Sequence, residues 1–600
     1  MAELLNLSHI IGPQFEGLAM PSFWLPLNDL GNGEVNLVPL RAGGSPTPTF
    51  TRATTAWTKE TSSLSLPGVV DNYASMPDSA ANSIVGDIDI RVRVALNDWT
   101  PLNFTPLFAK WGSGTAYAFA VQANGIIDFQ SQDQIGSTVP VGAADGSTKW
   151  VRVTQDVDNG ASGHDTKFYT SDNGIVWSQL GSTQTLAGVI SIDDTARPVY
   201  IGAIENAVTG VPERFLLGKV YYAELRNGID GPIVAKFDPS ETTSGATSFV
   251  SSTGETWTIN QSGSPKAEIG QWWREVASGV PRSCYLGFNN TAVGAYGGYL
   301  AEDARTNLAL WSRDMTNAAW VKINVTAAKN ATGIDGVANS ASTLTATANG
   351  GTALQTLTAA ASSRTYSVWL RRKTGTGTVT IQQTGTTLDV TASLNSLTYT
   401  RVELNASILN AVFGIIFGTS GDAVEIDFNQ FEAGTFAASP IPTTTVAVAR
   451  NADVLTYPYA GNALTSAGAA SADLFLNNTS TGAIQTAIAL STTTGPLNIA
   501  SAGAATTIRI SDGTTDTAKS SLTDMTTAVR KRASSWGGSV QAITGDDVAV
   551  TSGAFDGTLG STAIGIGCAT DGTLFWFGTV KNVRIWTKQL SDNTLRGLTS

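Results

Sequence analysis

The chain has 600 residues, with 36 Lys and Arg against 48 Asp and Glu and a formal net charge of −12. That acidity excludes a nucleic-acid groove, which needs clustered cations to displace counterions from phosphate, and no run of about 18 apolar residues exists to form a membrane-spanning helix. Charged residues are 14% of the chain, against about 25% in an average soluble domain. The few Lys and Glu leave little material for surface helices, whereas Thr, Val, Ile and the aromatics favour strands and 61 Gly with 21 Pro supply turns. An all-β chain is expected, and roughly 150 residues per domain suggests about four domains.

Residues 1–56 contain Pro13, Pro21, Pro26, Pro39, Pro46 and Pro48, which break long helices. They are expected to form an extended N-terminal anchoring arm, with a strand pair packed on the central part of the chain as the alternative. Met1-Ala2-Glu3-Leu4-Leu5 opens the chain without a basic and then apolar leader, so no secretory signal is expected. The sequons at Asn324 and Asn405 then carry no glycosylation meaning.

Residues 57–275 read as one sandwich. Asp87-Ile-Asp-Ile-Arg-Val-Arg-Val94 alternates strictly, Trp150-Val-Arg-Val153 repeats the period, and Lys167 to Trp177 reads as two strands around the turn Asp172-Asn173-Gly174. Thr170 to Trp177 matches an Asp-box, the [ST]-x-D-x-G-x-x-W hairpin seen in sialidases, in which Asp172 is expected to cap the turn and Trp177 to pack beneath it. The last strand, Gly218-Lys-Val-Tyr-Tyr-Ala-Glu-Leu225, gives the unit a resemblance to the concanavalin A-like lectin and laminin-G sandwich. Lectin-like sandwiches often hold calcium, for which Asp193-Asp194 is the acid pair at hand; acids in a turn are the plainer reading, and no cofactor is expected.

Residues 276–455 carry the most specific pattern. Glu302-Asp-Ala-Arg-Thr-Asn-Leu-Ala-Leu-Trp311 continues to Trp320, and the segment closes with Val424-Glu-Ile-Asp-Phe-Asn-Gln-Phe-Glu-Ala-Gly434, Ser439-Pro-Ile-Pro-Thr443 and Val448-Ala-Arg-Asn-Ala-Asp-Val454. Between them Tyr366-Ser-Val-Trp-Leu-Arg-Arg372 has the period of a strand with one face on a core. Together these resemble a carbohydrate-binding-module type of jelly roll that recurs in tail and fibre proteins of tailed bacteriophages. In that family a strand like Phe50-Thr-Arg-Ala-Thr54 is soon followed by one like Val276-Ala-Ser-Gly-Val-Pro-Arg282, but here roughly 220 residues intervene. The preceding sandwich is therefore expected to be an insertion, tolerated where its ends lie close together.

Residues 456–600 repeat the pattern of 57–275. Gly578-Thr-Val-Lys-Asn-Val-Arg-Ile585 matches Gly218 to Leu225; Phe575-Trp-Phe577 stands where Phe215-Leu-Leu217 does, and Ile564-Gly-Ile-Gly567 where Tyr200-Ile-Gly202 does. A second laminin-G-type sandwich is expected, finished by a short helix with Ser591 as N-cap and Leu595 and Leu598 turned inward.

Catalytic chemistry has little to rest on. Glu425, Asp427 and Glu432 are similar to the paired carboxylates of laminarinase-type sandwiches, but Glu432 stands seven residues past Glu425 and falls on the opposite strand face; a solvated sheet edge is expected instead. His9 and His164 lie in different segments without triad or zinc partners. Gly375-Thr-Gly377-Thr378 lacks the Lys of a phosphate loop and reads as a hairpin loop. Cys284 and Cys568 fall in different expected domains, as two reduced buried thiols.

Binding remains. The chain has 15 Trp, and sandwich lectins stack sugar rings on exposed aromatics; Trp272, Trp273, Trp311 and Trp320 are the glycan-binding candidates, against a core or interface role. Trp177, Trp369, Trp576 and Trp586 are expected to be core. The acidic, Thr- and Asn-rich surface suits hydroxyl-rich receptors better than anionic polysaccharides. The resemblance implies a non-enzymatic virion protein of a tail fibre, tail tip or head fibre, made in the host cytoplasm, that presents lectin-like sandwiches to host-surface glycans. Its N-terminal region would contact other virion proteins, and its weakly guarded sheet edges imply a homo-oligomer, most plausibly a trimer. The alternative is a purely structural decoration or connector protein of the virion that binds no sugar.

Overall fold

The computed structural model describes residues 23–25, 38–39 and 49–600, apart from 113, 264, 280, 286–295, 459–462, 464–465, 478–484, 491–497, 502–505, 512–515 and 557–562. Strands take 51% of the residues and helices 2%, so the chain is all-β, with more than twice the roughly 20–25% strand of ordinary domains. It builds three sandwiches: a jelly roll and two sandwiches that share one strand order.

The first sandwich occupies residues 56–276. Its outer sheet runs Ser178–Gln179, Gly163–Ser171, Thr148–Asp156, Ile88–Leu96, Leu217–Asn227, Ala56–Pro67 and Glu268–Val276 in spatial order. Period-2 alternation sorts its faces. Ile88, Ile90, Val92 and Val94 turn inward and are fully buried, each contributing about 1.5–3 kcal/mol by leaving water, whereas Asp89, Arg91 and Arg93 face out. The opposing sheet is centred on Thr105–Gly112, Val199–Ile201 and Tyr73–Met76.

The jelly roll packs two five-stranded sheets between Val321 and Ala433, and the pairing of Arg305–Asn307 with Val448–Arg450 closes its ends. Phe413 and Phe431 stack in its core at 4.3 Å. Ala423–Ala433 is the middle strand of one sheet, so the carboxylates expected on a solvated edge are buried instead. Glu425 pairs with Arg371 at 2.6 Å and Asp427 with Arg313 at 2.8 Å, while Glu432 accepts hydrogen bonds from Gln430 and the Ala438 amide. Burial pushes Glu432 up to about 7. Ser362–Thr374 is also covered on both faces: Tyr366, Val368 and Leu370 meet the core, and Trp369 and Arg371 meet the first sandwich. Gly375 to Thr378 links the two sheets rather than closing a hairpin within one.

The C-terminal sandwich repeats the first strand for strand. Val454–Pro458, Ala467–Leu476, Arg530–Gly537, Ala563–Ile566 and Gly578–Trp586 stand where Tyr73–Met76, Ile88–Leu96, Thr148–Asp156, Val199–Ile201 and Leu217–Asn227 stand in the first. It is discontinuous in sequence: Thr49–Thr51 pairs with Val454–Pro458, and Phe23–Leu25 and Tyr296–Ala301 both pair with Gly578–Trp586. The strand at 296–301, expected within the jelly roll, thus belongs to this sandwich, and so does Ser283–Tyr285 beside it. Cys284 and Cys568 therefore share a sandwich; the Cys284 side chain lies outside the described residues, and Cys568 is a buried free thiol pushed up to about 12 by burial. Most of the expected arm, with His9, lies outside the described residues, but Phe23–Leu25 pairs with Val38–Pro39 and extends the last sandwich rather than the jelly roll. The terminal helix Asp592–Gly597 is capped by Ser591 and buries Leu595 and Leu598, as expected.

One buried charge network joins the three units. Arg52 and Arg282 both reach Asp453, Arg282 also reaches Glu302, and Arg450 lies 3.4 Å from both acids. Although burial opposes its charge, the arginines hold Glu302 down at about 2. Arg52 Nη2 also donates to the Ala277 carbonyl at 2.6 Å, and Ala56 pairs with Val276, so the two ends of the first sandwich lie side by side.

Candidate functional site

Of the four tryptophans singled out from sequence, three are buried and Trp311 is half-buried. Trp273 and Trp320 are each 1% exposed and Trp272 4%; Trp311, at φ +51°, is half-buried against the jelly-roll core and accepts a hydrogen bond from the Trp320 indole at 3.2 Å. Trp272 is pinned because its indole donates to the Ser63 carbonyl and Gly336 lies against its ring. Trp272 and Trp273 do line a narrow cleft of about 220 Å³ between the first sandwich and the jelly roll, beside Trp369, Tyr399 and Glu268. Its walls hold each other: Trp273 meets Trp369 edge-on at 5.8 Å, Arg371 bridges Glu268 at 2.5 Å, and the Trp273 amide donates to the Ile334 carbonyl.

The open aromatic surface lies instead on the outer sheet of the first sandwich. Trp150, Tyr169, Trp177 and Tyr222 are half-buried there; the alternation that sends Val151, Val153 and Phe168 into the core places Trp150 and Tyr169 outward, Tyr222 follows a bulge at Val220, and Trp177 follows the turn after Ser171. Trp150 meets Trp177 edge-on at 6.2 Å and Tyr222 at 5.4 Å. Arg152 lies 5.0 Å over Tyr169 and 5.8 Å from Trp177, and Arg91 lies 5.7 Å from Trp177. Both arginines are fixed by the buried Asp89, which accepts from Arg152 at 3.0 and 2.7 Å and from Arg91 at 3.1 and 2.7 Å. Trp177, expected in the core, is thus a surface residue. Ser171 and Asn173 cap its hairpin through the amides of Gly174, Ile175 and Val176, while the exposed Asp172 pairs with Lys149 at 2.5 Å.

This surface continues into a cleft of about 650 Å³ with Arg93, Tyr221 and Glu60 in its lining. Tyr221 Oη donates to Glu60 Oε2 at 2.7 Å, Arg274 Nε lies 3.0 Å from Glu60 Oε1, and Lys219 Nζ lies 3.4 Å from Oε2. Burial alone would raise Glu60, but Lys219 and Arg274, with the Tyr221 hydroxyl, hold it below its ordinary value. Burial, then the charge of Glu60, holds Tyr221 neutral well above the ordinary tyrosine range. The arrangement can stack a ring and hold polar groups; Glu60 is a structural counter-ion within it.

Asp194 faces Lys110 at 3.6 Å, and among the described residues no group of three or more acids, histidines and cysteines could hold a metal ion. His164 is buried, with Nδ1 2.8 Å from the Gly188 carbonyl. Sequence reading missed Trp150 and Tyr222 because an outward aromatic on an alternating strand looks like its core neighbours; the adjacent Arg91, Arg93 and Arg152, which cannot turn inward unpaired, were the available signal.

No family model and no curated protein matches this sequence. Among solved structures the chain is similar to a native heptameric SAP-like pentraxin from Limulus polyphemus, at 15% identity over 28% of this chain and 77% of that one, with a TM-score of 0.21. It is similar to the CBM40 module of Ruminococcus gnavus IT-sialidase bound to α2,3-sialyllactose, at 10% identity over 27% and 91%, TM-score 0.20. It is also similar to domains LG4-5 of the mouse laminin α1 chain, at 7% identity over 88% and 90%, TM-score 0.22. The likeness is one of β-sandwich architecture alone, which the strand order shows by itself.

Proposed function

We propose that the chain is a non-enzymatic virion protein of a tailed bacteriophage, in a tail fibre, tail tip or head fibre, that holds host-surface glycans on the open outer face of its first sandwich. The observation that carries the binding half is the half-exposed group Trp150, Tyr169, Trp177 and Tyr222 beside a polar cleft, since sugars are held by ring stacking on aromatics with polar groups at the rim. The virion half rests on the sequence pattern. Its support is that the segments carrying the resemblance contribute Arg52, Arg282, Glu302, Arg450 and Asp453 to one buried network, which gives them a physical reason to occur together. Assembly as a homo-oligomer, with the N-terminal region toward other virion proteins, belongs to the same proposal.

Two measurements test it. Antibody against the chain should label tails or head fibres in electron micrographs of particles, and labelling confined to cell debris overturns the virion half. Purified protein should retain host-surface polysaccharide on an affinity column, and Trp150→Ala should lose that retention while melting near the parent; retention unchanged in that variant overturns the assigned face.

A further inference from the structure

Resting on that reading, we infer that the cleft beside the aromatic face takes an acidic sugar, one whose ring carries an oxyanion such as a carboxylate or sulfate, with Arg93 as its anchor. The chain as a whole is acidic, at −12, but this cleft is not. Lys59, Arg93, Lys149, Lys219 and Arg274 line it against Glu60, Asp145 and Glu275, and Asp172 lies 2.5 Å from Lys149 at its edge, five cations to four anions. Charges beyond about 8 Å are screened at physiological salt, so a ligand in the cleft feels this local excess rather than the distant acids.

The pairing inside the cleft singles out Arg93. Lys219 and Arg274 are engaged by Glu60, Lys149 by Asp172, and Asp145 accepts from the Trp99 amide. Arg93 has its guanidinium carbon 5.1 Å from the Tyr221 ring centre and adds its charge to those that hold Glu60 down, but its Nε has no hydrogen-bond partner among the described residues. A guanidinium fork pairs side by side with a carboxylate or sulfate. On the sheet Arg93 stands directly opposite both Trp150 and Tyr222. One sugar residue can therefore stack on the aromatics while its charged substituent, or that of its neighbour, meets Arg93. Net charge, on which anionic polysaccharides suit the surface less well, averages over a longer distance than this cleft spans.

The test is an oligosaccharide array probed with the full chain, on which uronate-, sialate-, sulfate- and phosphate-bearing members each sit beside a neutral counterpart. Acidic members should dominate, and the preferred acid separates carboxylate from sulfate or phosphate recognition. Titration of the best acidic member should show binding that weakens as NaCl rises, and Arg93→Gln should weaken it about ten- to a hundredfold, the worth of a charge-assisted hydrogen bond, with Arg93→Lys between. Should Arg93→Gln melt early, Lys149→Gln with the salt dependence of the parent carries the same test. Neutral members binding as well as their acidic partners, or a folded Arg93→Gln that binds the acid unchanged, overturns this inference and leaves glycan recognition standing. No binding to any member overturns both.

Discussion

The two like-ordered sandwiches differ most on the outer face of the same sheet. In the first, Trp150 and Tyr222 lie half-buried beside Arg91, Arg93 and Arg152, with Gly174 against the Trp150 ring. In the C-terminal one, the equivalent strands carry Ala469, Ala533 and Ala542, and the helix Asp592–Gly597 lays Leu595 and Leu598 over them together with Trp586 and Leu590. Alanines make a floor shallow enough for a helix to sit on; aromatics and arginines make one that, among the described residues, no helix covers. The lesson is that a duplicated scaffold divides its tasks by what its outward positions carry, since the inward ones are committed to the core in both copies.

The largest break in this comparison would be one that treats both sandwiches alike. Asp453 sits at their common junction and holds Arg52 and Arg282, so Asp453→Ala, by stranding buried arginines, should cost about 3–5 kcal/mol and lower every calorimetric transition of the chain; a shift confined to one transition would show that the junction is not shared. Leu595→Ala is selective. Its side chain is fully buried, and its loss should destabilise the C-terminal sandwich by about 2–5 kcal/mol while leaving glycan retention intact.

Trp150→Ala should do the reverse. From a half-exposed position it should change stability by less than about 1 kcal/mol, and the retention assay should register the loss. The smallest effect is acid sensitivity of the open face. Because Glu60 is held below its ordinary value of 4.5, its contribution to stability is fully present above that pH and is lost as pH falls through its lower folded value. Glu60→Gln should therefore flatten the acid limb of the melting profile of the first sandwich without moving the profile of the other.

Much of this architecture was legible from local pattern. Alternation at Asp87 to Val94, the match of Gly218–Leu225 with Gly578–Ile585, and the Ser591 cap with Leu595 and Leu598 all report short-range rules, and each is found in place. What pattern alone did not supply was which face of a strand another unit covers. Trp369, expected in a core, and Arg371, on the polar phase of its strand, are both buried because a distant sandwich docks on them. Glu425 and Asp427 look like a solvated edge and are counter-ions to Arg371 and Arg313 on a middle strand. The same blind spot moved the candidate site from Trp272, Trp273, Trp311 and Trp320 to Trp150 and Tyr222, for exposure is a property of neighbours far along the chain.

The broken path of the chain through the C-terminal sandwich carries a consequence for how the protein is made. Thr49–Thr51 leaves the ribosome early, yet its partner Val454–Pro458 follows some 400 residues later, which at about 5–20 residues per second is a wait of roughly 20–80 seconds. The first sandwich and the jelly roll each emerge as continuous stretches and can close in that interval, while the early strand stands with its edge unpaired. Synthesis that stops before Gly578–Trp586 leaves Tyr296–Ala301 and Phe23–Leu25 without the strand they both join. Gly578–Trp586 therefore acts as a late check on the strands made before it: a product that stops short of it displays bare strand edges to chaperones and proteases, and one that includes it hides them.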